Sequence, residues 1–184
     1  SGIIEIDGQS LFKLSEHKLE AVQKKFSMVF QGSALFDFLN VEENVAFGLR
    51  MHGLKDENKI KQIVKECLSM VGLENIEEFD PAELSGGMKK RVAVARAIIT
   101  QPKYILYDEP TTGLDPMTSN NINNLILNLQ AKLQLSSIIV THDIVSACKV
   151  SNKIALLADG KIQGIWKPDE IQKTNNHLLK QFLA

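Results

Sequence analysis

The stretch Glu83-Leu84-Ser85-Gly86-Gly87-Met88, which leads into Lys89-Lys90-Arg91-Val92-Ala93-Val94, is the segment from which the rest of the chain can be read. A serine before two glycines and an apolar-rich run is a helix start, because the serine hydroxyl can accept from an orphan backbone N–H. By itself this is a common cap. The glycines add something, since bare backbone lets N–H groups and the positive end of the helix dipole come close to a phosphate. Further on stand Tyr104-Ile105-Leu106-Tyr107-Asp108-Glu109-Pro110, Thr111-Thr112-Gly113-Leu114-Asp115-Pro116 and Ile138-Ile139-Val140-Thr141-His142-Asp143. Two apolar strands thus deliver polar groups to their C-terminal tips, where doubly wound sheets bind ligands. Taken singly, Asp108 and Glu109 are carboxylates ending a strand, and His142 is a turn histidine. Their order and spacing together favour function.

Working outward, strands and helices alternate. Residues 3–6 read as a strand entering a turn at Asp7-Gly8, Ser15 caps a helix to about residue 24, and residues 26–30 form a buried strand ending at Gln31. Residues 40–50 are helical. Residues 58–71 carry Ile60, Ile63, Val64, Cys67, Leu68 and Val71 on one helical face, with Gly72 as the stop. Helices are expected over 85–100 and 118–133, the second with Ile122, Leu125, Ile126, Leu129 and Leu133 inside. Strands are expected over 104–108 and 137–141, then a hairpin of 154–158 and 161–166 joined at Asp159-Gly160, and a terminal helix over 176–183. The order describes one α/β domain over 1–184 with a mostly parallel sheet and a helical insertion at about 32–101.

A hydrophobic fraction of 44% is enough for a sizeable core, and a net charge of −1 lacks the basic surface that nucleic-acid binding needs. The cluster Lys89-Lys90-Arg91 reads as a solvated helix face. Cys67 and Cys148 have no metal-ligand spacing, as in a reducing cytosol, and Cys67 sits in an apolar stripe. His17, His52, His142 and His177 are scattered. No apolar run approaches the roughly 20 residues that span a bilayer, so association with a membrane is expected to go through a partner.

The motifs resemble the ATP-binding cassette (ABC) ATPases, and the resemblance runs over nearly the whole chain. It implies a P-loop NTPase core acting on ATP with Mg²⁺. Asp108 and Gln31 would serve the Mg²⁺ as the family's Walker B carboxylate and sensor glutamine, and Glu109 would be the general base. His142 would bond the γ-phosphate while holding Glu109 and the attacking water. Ser85, Gly86 and Gly87, the LSGG signature, would touch ATP bound to the other subunit of a head-to-tail homodimer, and Asp115 would cross that interface. Met88 stands where glutamine is commoner, which removes a polar contact.

The insertion at 32–101 would dock on an integral membrane permease, placing the protein in the cytoplasm at the inner face of the bacterial inner membrane. Gly32-Ser33-Ala34-Leu35-Phe36, Met88 and the ending Leu179-Lys180-Gln181-Phe182-Leu183 are similar to the ATPases of MCE-type lipid transporters, which implies phospholipid or a related lipid as cargo and an MCE-domain lipid carrier as a possible further partner. ATPases of amino-acid, metal-chelate or lipoprotein transporters are the alternatives. So are a degenerate, non-hydrolysing regulatory cassette and, more distantly, a soluble cassette of DNA repair or translation.

One expected motif is absent: no G-x-x-x-x-G-K-[ST] phosphate loop occurs in the 184 residues. In the family this loop follows a central strand lying between the strands matching 137–141 and 154–158. Without that strand, buried backbone groups would stand unpaired at about 1–3 kcal/mol each. The expectations are that about forty residues upstream, roughly one strand–loop–helix unit, supply it or that a swapped strand does. A protein of these 184 residues is expected to bind ATP very weakly and not turn it over, because the loop backbone and its lysine supply most of the hold on the phosphates.

Overall fold

The computed structural model describes residues 2–171 together with Lys173 and Leu179. The chain opens with a short ladder of β1 (Glu5–Ile6) against β2 (Gln9–Ser10), turned by Asp7 and Gly8 at φ 51° and 75°, the positive pair that a tight hairpin demands. Asp7 fastens this hairpin to the sheet behind it. Its carboxylate accepts from Lys25 Nζ at 2.7 Å, from the Tyr104 hydroxyl at 2.6 Å and from Lys103 Nζ. These partners, Lys103 first, hold the Asp7 carboxyl far below the usual carboxylate range.

Helix α1 (Glu16–Gln23) follows Ser15, which occupies the N-cap position without making a side-chain cap bond. Strand β3 (Phe26–Val29) then enters the sheet. Helix α2 (Val41–Met51) begins in a capping box in which Asn40 and Glu43 bond each other's backbone N–H groups, at 2.8 and 3.0 Å. Helix α3 (Glu57–Met70) is capped by Asp56 and buries Ile60, Val64, Cys67 and Leu68, the face its spacing predicts. Burial pushes the Cys67 thiol up to about 11, so it is a packing residue. Helix α4 (Gly86–Ile98) starts at N-cap Ser85. Strand β4 (Tyr104–Asp108), helix α5 (Pro116–Leu133) and strand β5 (Ser136–Val140) complete the centre.

Helix α6 (Ile144–Val150) has no counterpart in the sequence reading. It is only seven residues long, too short for a stripe to show, and Asp143 caps it. Strands β6 (Ile154–Ala158) and β7 (Lys161–Trp166) form the expected hairpin at Asp159-Gly160, and α7 (Pro168–Ile171) is a single turn. The helix expected over 176–183 lies outside the described residues, Leu179 excepted.

The central sheet runs β3-β4-β5 and is parallel throughout, as the α/β reading expects. Antiparallel pairing is confined to the two hairpins. One face of the sheet is covered: Val29, Ile105 and Tyr107 are buried in a continuous core with α2, α3, α4 and α5. The other face is open toward β5 among the described residues. Met28, Leu106 and Ile138 lie side by side in register, and Ile138 is 65% exposed while Val140, two residues on, is 60% exposed. Parallel sheets ordinarily have both faces covered. Among the described residues no strand pairs with the outer edge of β5, and β6–β7 stand as a separate sheet. The open edge lies where the expected central strand would run.

Candidate functional site

The tips of β3, β4 and β5 carry the candidate chemistry. Glu109 sits one residue past β4 with φ 46°, a left-handed conformation uncommon for a residue with a side chain. Its backbone N–H donates to Val140 O at 2.9 Å, which ties the turn to the end of β5. The carboxylate is held on both oxygens. Oε1 faces the His142 backbone N–H at 3.0 Å and the His142 Nδ1 at 2.8 Å, and Oε2 accepts from Thr112 Oγ1 at 2.8 Å and Thr141 Oγ1 at 3.2 Å. Burial works to raise the Glu109 carboxyl, but the bonds from His142, Thr112 and Thr141 outweigh it and leave the group below its ordinary value. His142 is largely exposed, and the same carboxylate raises its imidazole above its ordinary value.

A polar chain supports this histidine loop from below. Asn123, buried on α5, donates to Ser146 Oγ at 2.7 Å, and Ser146 Oγ donates to the Asp143 carboxylate. The Asp143 backbone N–H donates in turn to Thr141 Oγ1 at 3.0 Å. Sequence reasoning passes over Thr112, Thr141, Asn123 and Ser146. The one available signal is that two threonines flank the acid and the histidine at strand tips.

Gln31 lies two residues past β3, and Asp108 is the last residue of β4. Among the described residues neither the Asp108 carboxylate nor the Gln31 side-chain amide makes a hydrogen bond or ion pair. Mg²⁺ takes one or two carboxylates and keeps waters or phosphate oxygens for the rest. Two oxygen donors left free on neighbouring strand tips fit such an ion. No cluster of three or more His, Cys, Asp or Glu able to cage a metal occurs among the described residues.

Ser85, Gly86, Gly87 and Asp115 form a second group. Ser85 Oγ accepts from Met88 N at 3.2 Å and so caps α4. A Cβ on Gly86 would stand 3.6 Å from a Leu114 methyl, and one on Gly87 only 2.8 Å from the Thr118 methyl. The two glycines therefore let α4 start hard against the Asp115 loop. Asp115 caps α5, accepting from Met117 N and Thr118 N at 3.0 Å each. Met88 turns partly into the core, which accounts for an apolar residue there.

The basic cluster corrects the sequence reading. Lys90 is 6% exposed, not solvated, and its Nζ donates to the backbone carbonyls of Gln31 and, at 3.2 Å, Glu109. Arg91 Nη1 donates to Val71 O at 3.0 Å. The reason is tertiary: the first turns of α4 lie beneath the strand tips, where carbonyls need donors.

The profile of the ABC transporter family matches residues 1–112. The intermembrane phospholipid transport system ATP-binding protein MlaF of Haemophilus influenzae is 39% identical over 182 residues, covering 99% of this chain and 69% of that protein. The chain belongs to the ABC transporter ATP-binding family. This cassette is also 38% identical, over 183 residues, to the probable ribonucleotide transport ATP-binding protein mkl of Mycobacterium tuberculosis, of which it spans 51%. It superposes with TM-score 0.80 and 32% identity on the ATP-binding cassette MJ0796, solved as a dimer in a post-hydrolysis state with ADP and Pi. The match covers 91% of this chain and 74% of that one. The P-loop NTPase fold is thereby shown for this cassette.

Proposed function

We propose that this cassette is the ATP-hydrolysing motor subunit of an ABC transporter, with Glu109 as the base that polarises the attacking water. One observation carries the reading: a single carboxylate at the tip of β4 is oriented by donors from the end of β5 and from the adjoining loops, beside an Asp108 carboxylate and a Gln31 side-chain amide that make no hydrogen bond among the described residues. Asp108 and Gln31 would hold the Mg²⁺, which when bound neutralises charge on the β- and γ-phosphate oxygens. His142, which bonds Glu109, would contact the γ-phosphate and keep the base aligned. Water is activated by Glu109 only once a γ-phosphate is there to be attacked.

Ser85, Gly86 and Gly87 would complete the site of a second, head-to-tail copy, with Asp115 crossing between copies. Residues 32–101 would be the unit that engages the permease and so keeps the cassette at the inner face of the bacterial inner membrane. No helix among the described residues is long and apolar enough to cross it. An aromatic cluster supports the docking surface around 36–49: the rings of Phe36 and Phe47 lie 4.9 Å apart, and Phe38 is 82% exposed. The cargo reading is phospholipid or a related lipid, supported by the identity to MlaF, with an MCE-domain carrier as a further partner.

A mixing experiment tests the composite site. In the full-length gene product, Ser85→Arg and Glu109→Gln should each abolish phosphate release. Mixed in equal amounts they should recover about a quarter of wild-type turnover, because half the dimers then hold one complete site of two. No recovery would exclude a shared site, and a wild-type protein that binds ATP without releasing phosphate would establish the non-hydrolysing cassette instead. With the permease in vesicles, ATP-dependent movement of labelled phospholipid rather than of an amino acid would identify the cargo class.

A further inference from the structure

Helix α4 grips the loop after β3 through its side chains. Arg96 donates to Ala34 O at 2.7 Å and to Ser33 O at 2.8 Å, and both of those loop residues sit at positive φ, 46° and 65°. Two consecutive non-glycine residues in the left-handed region persist only where surrounding contacts hold them. Lys90, nearer the start of the helix, reaches the same loop at Gln31 O and also the strand tip at Glu109 O. Among the described residues it is the one side chain that bonds both segments. Burial penalises the Lys90 ammonium, while the nearby Glu109 and Asp108 carboxylates favour its charge. Packing gives no reason for a charge here. Three donors on a flexible stem, which neither methionine nor glutamine supplies, do.

We propose that Lys90 is a positioning residue for hydrolysis: it ties the Gln31 loop to the Glu109 turn, so that a displacement of α4 or of that loop moves the carboxylate at the same time. The lysine never touches nucleotide in this account. It acts through the backbone of Glu109, whose left-handed turn is where a carbonyl restraint sets the direction of the carboxylate. The catalytic half of this inference rests on the Glu109 reading above, while the mechanical half rests on geometry alone.

The test uses the full-length protein as Lys90→Met and Lys90→Gln, the second retaining two N–H donors and serving as the readout if methionine unfolds the chain. Two measurements separate the halves. In steady-state kinetics, kcat should fall about tenfold or more with KM for ATP changed by less than about twofold, since a misplaced base costs rate rather than binding. In hydrogen exchange, amides in 31–34 and 109–112 should both exchange faster, while those of α3 within 60–68 stay protected. Unchanged kcat in a folded variant would overturn the proposal, as would faster exchange spread across α3, which marks a merely structural lysine. If the wild-type protein releases no phosphate, the Glu109 reading fails separately, and exchange decides the tie: joint loosening of the two segments supports it, and loosening of neither or of one alone rejects it.

Discussion

Glu109 and His142 control each other's protonation, and the signs give a pH window. The Glu109 carboxyl is lowered in the fold, so its contribution is present above the unfolded glutamate value and fades as pH falls through the folded one. The His142 imidazole is raised, so its contribution is complete below about 6.5 and fades as pH climbs through the raised value. The contact is therefore firmest in mildly acidic to neutral solution. Followed by NMR, the His142 ring should titrate above about 6.5 in the wild type and fall back toward that value in Glu109→Gln. An unchanged midpoint would mean the two side chains do not interact. Gly87 makes a second residue-scale prediction. A Cβ there would sit 2.8 Å from the Thr118 methyl, so Gly87→Ala should lower stability by about 1–3 kcal/mol in urea denaturation. Thr118→Ser, which removes that methyl, should recover part of the loss.

At the scale of elements, the loop between β3 and α2 depends on Asn44. Its side chain is fully buried, with Nδ2 donating to Leu39 O at 2.8 Å and to the carbonyls of Phe36 and Asn40 at 3.0 Å, and with Oδ1 accepting from Phe36 N at 2.8 Å. Removing it leaves backbone groups unpaired out of water. Asn44→Ala should destabilise by about 2–4 kcal/mol in the same assay and speed amide exchange at Phe36. Much at this scale was legible in the sequence. The stripes of α3 and α5 repeat at helical spacing, and the apolar runs of β4 and β5 end at the acids and the histidine. The contacts that cross the chain were not. Lys90 lies on α4 as an ordinary basic residue, and the carbonyls of Gln31, 59 positions earlier, and Glu109, 19 positions later, give it partners in the fold. Thr141 escapes for the same reason, since it meets Glu109 only once β5 has paired with β4. Helix α6 escapes because seven residues are too few to show a period.

At the scale of the whole molecule, the β5 side of the central sheet stands open among the described residues. Ile138 and Val140 project from a strand whose outer edge is unpaired among the described residues, and an exposed apolar edge invites a further strand. A protein of these 184 residues should associate with itself as concentration rises in analytical ultracentrifugation. Ile138→Lys with Val140→Lys should suppress this, and a monomer at all concentrations would contradict it. The same side is where the sequence reading expected a missing strand and its phosphate loop. The covered side, by contrast, carries α4 with Lys90, which bonds the Glu109 carbonyl, and α5.

Whether Glu109 serves ATP hydrolysis as its base is decided most directly by steady-state phosphate release from the full-length gene product with Mg²⁺ and ATP, wild type against Glu109→Gln. The wild type should turn ATP over and the variant should lose about a hundredfold or more, with ATP binding retained. Equal rates in the two proteins would contradict that role.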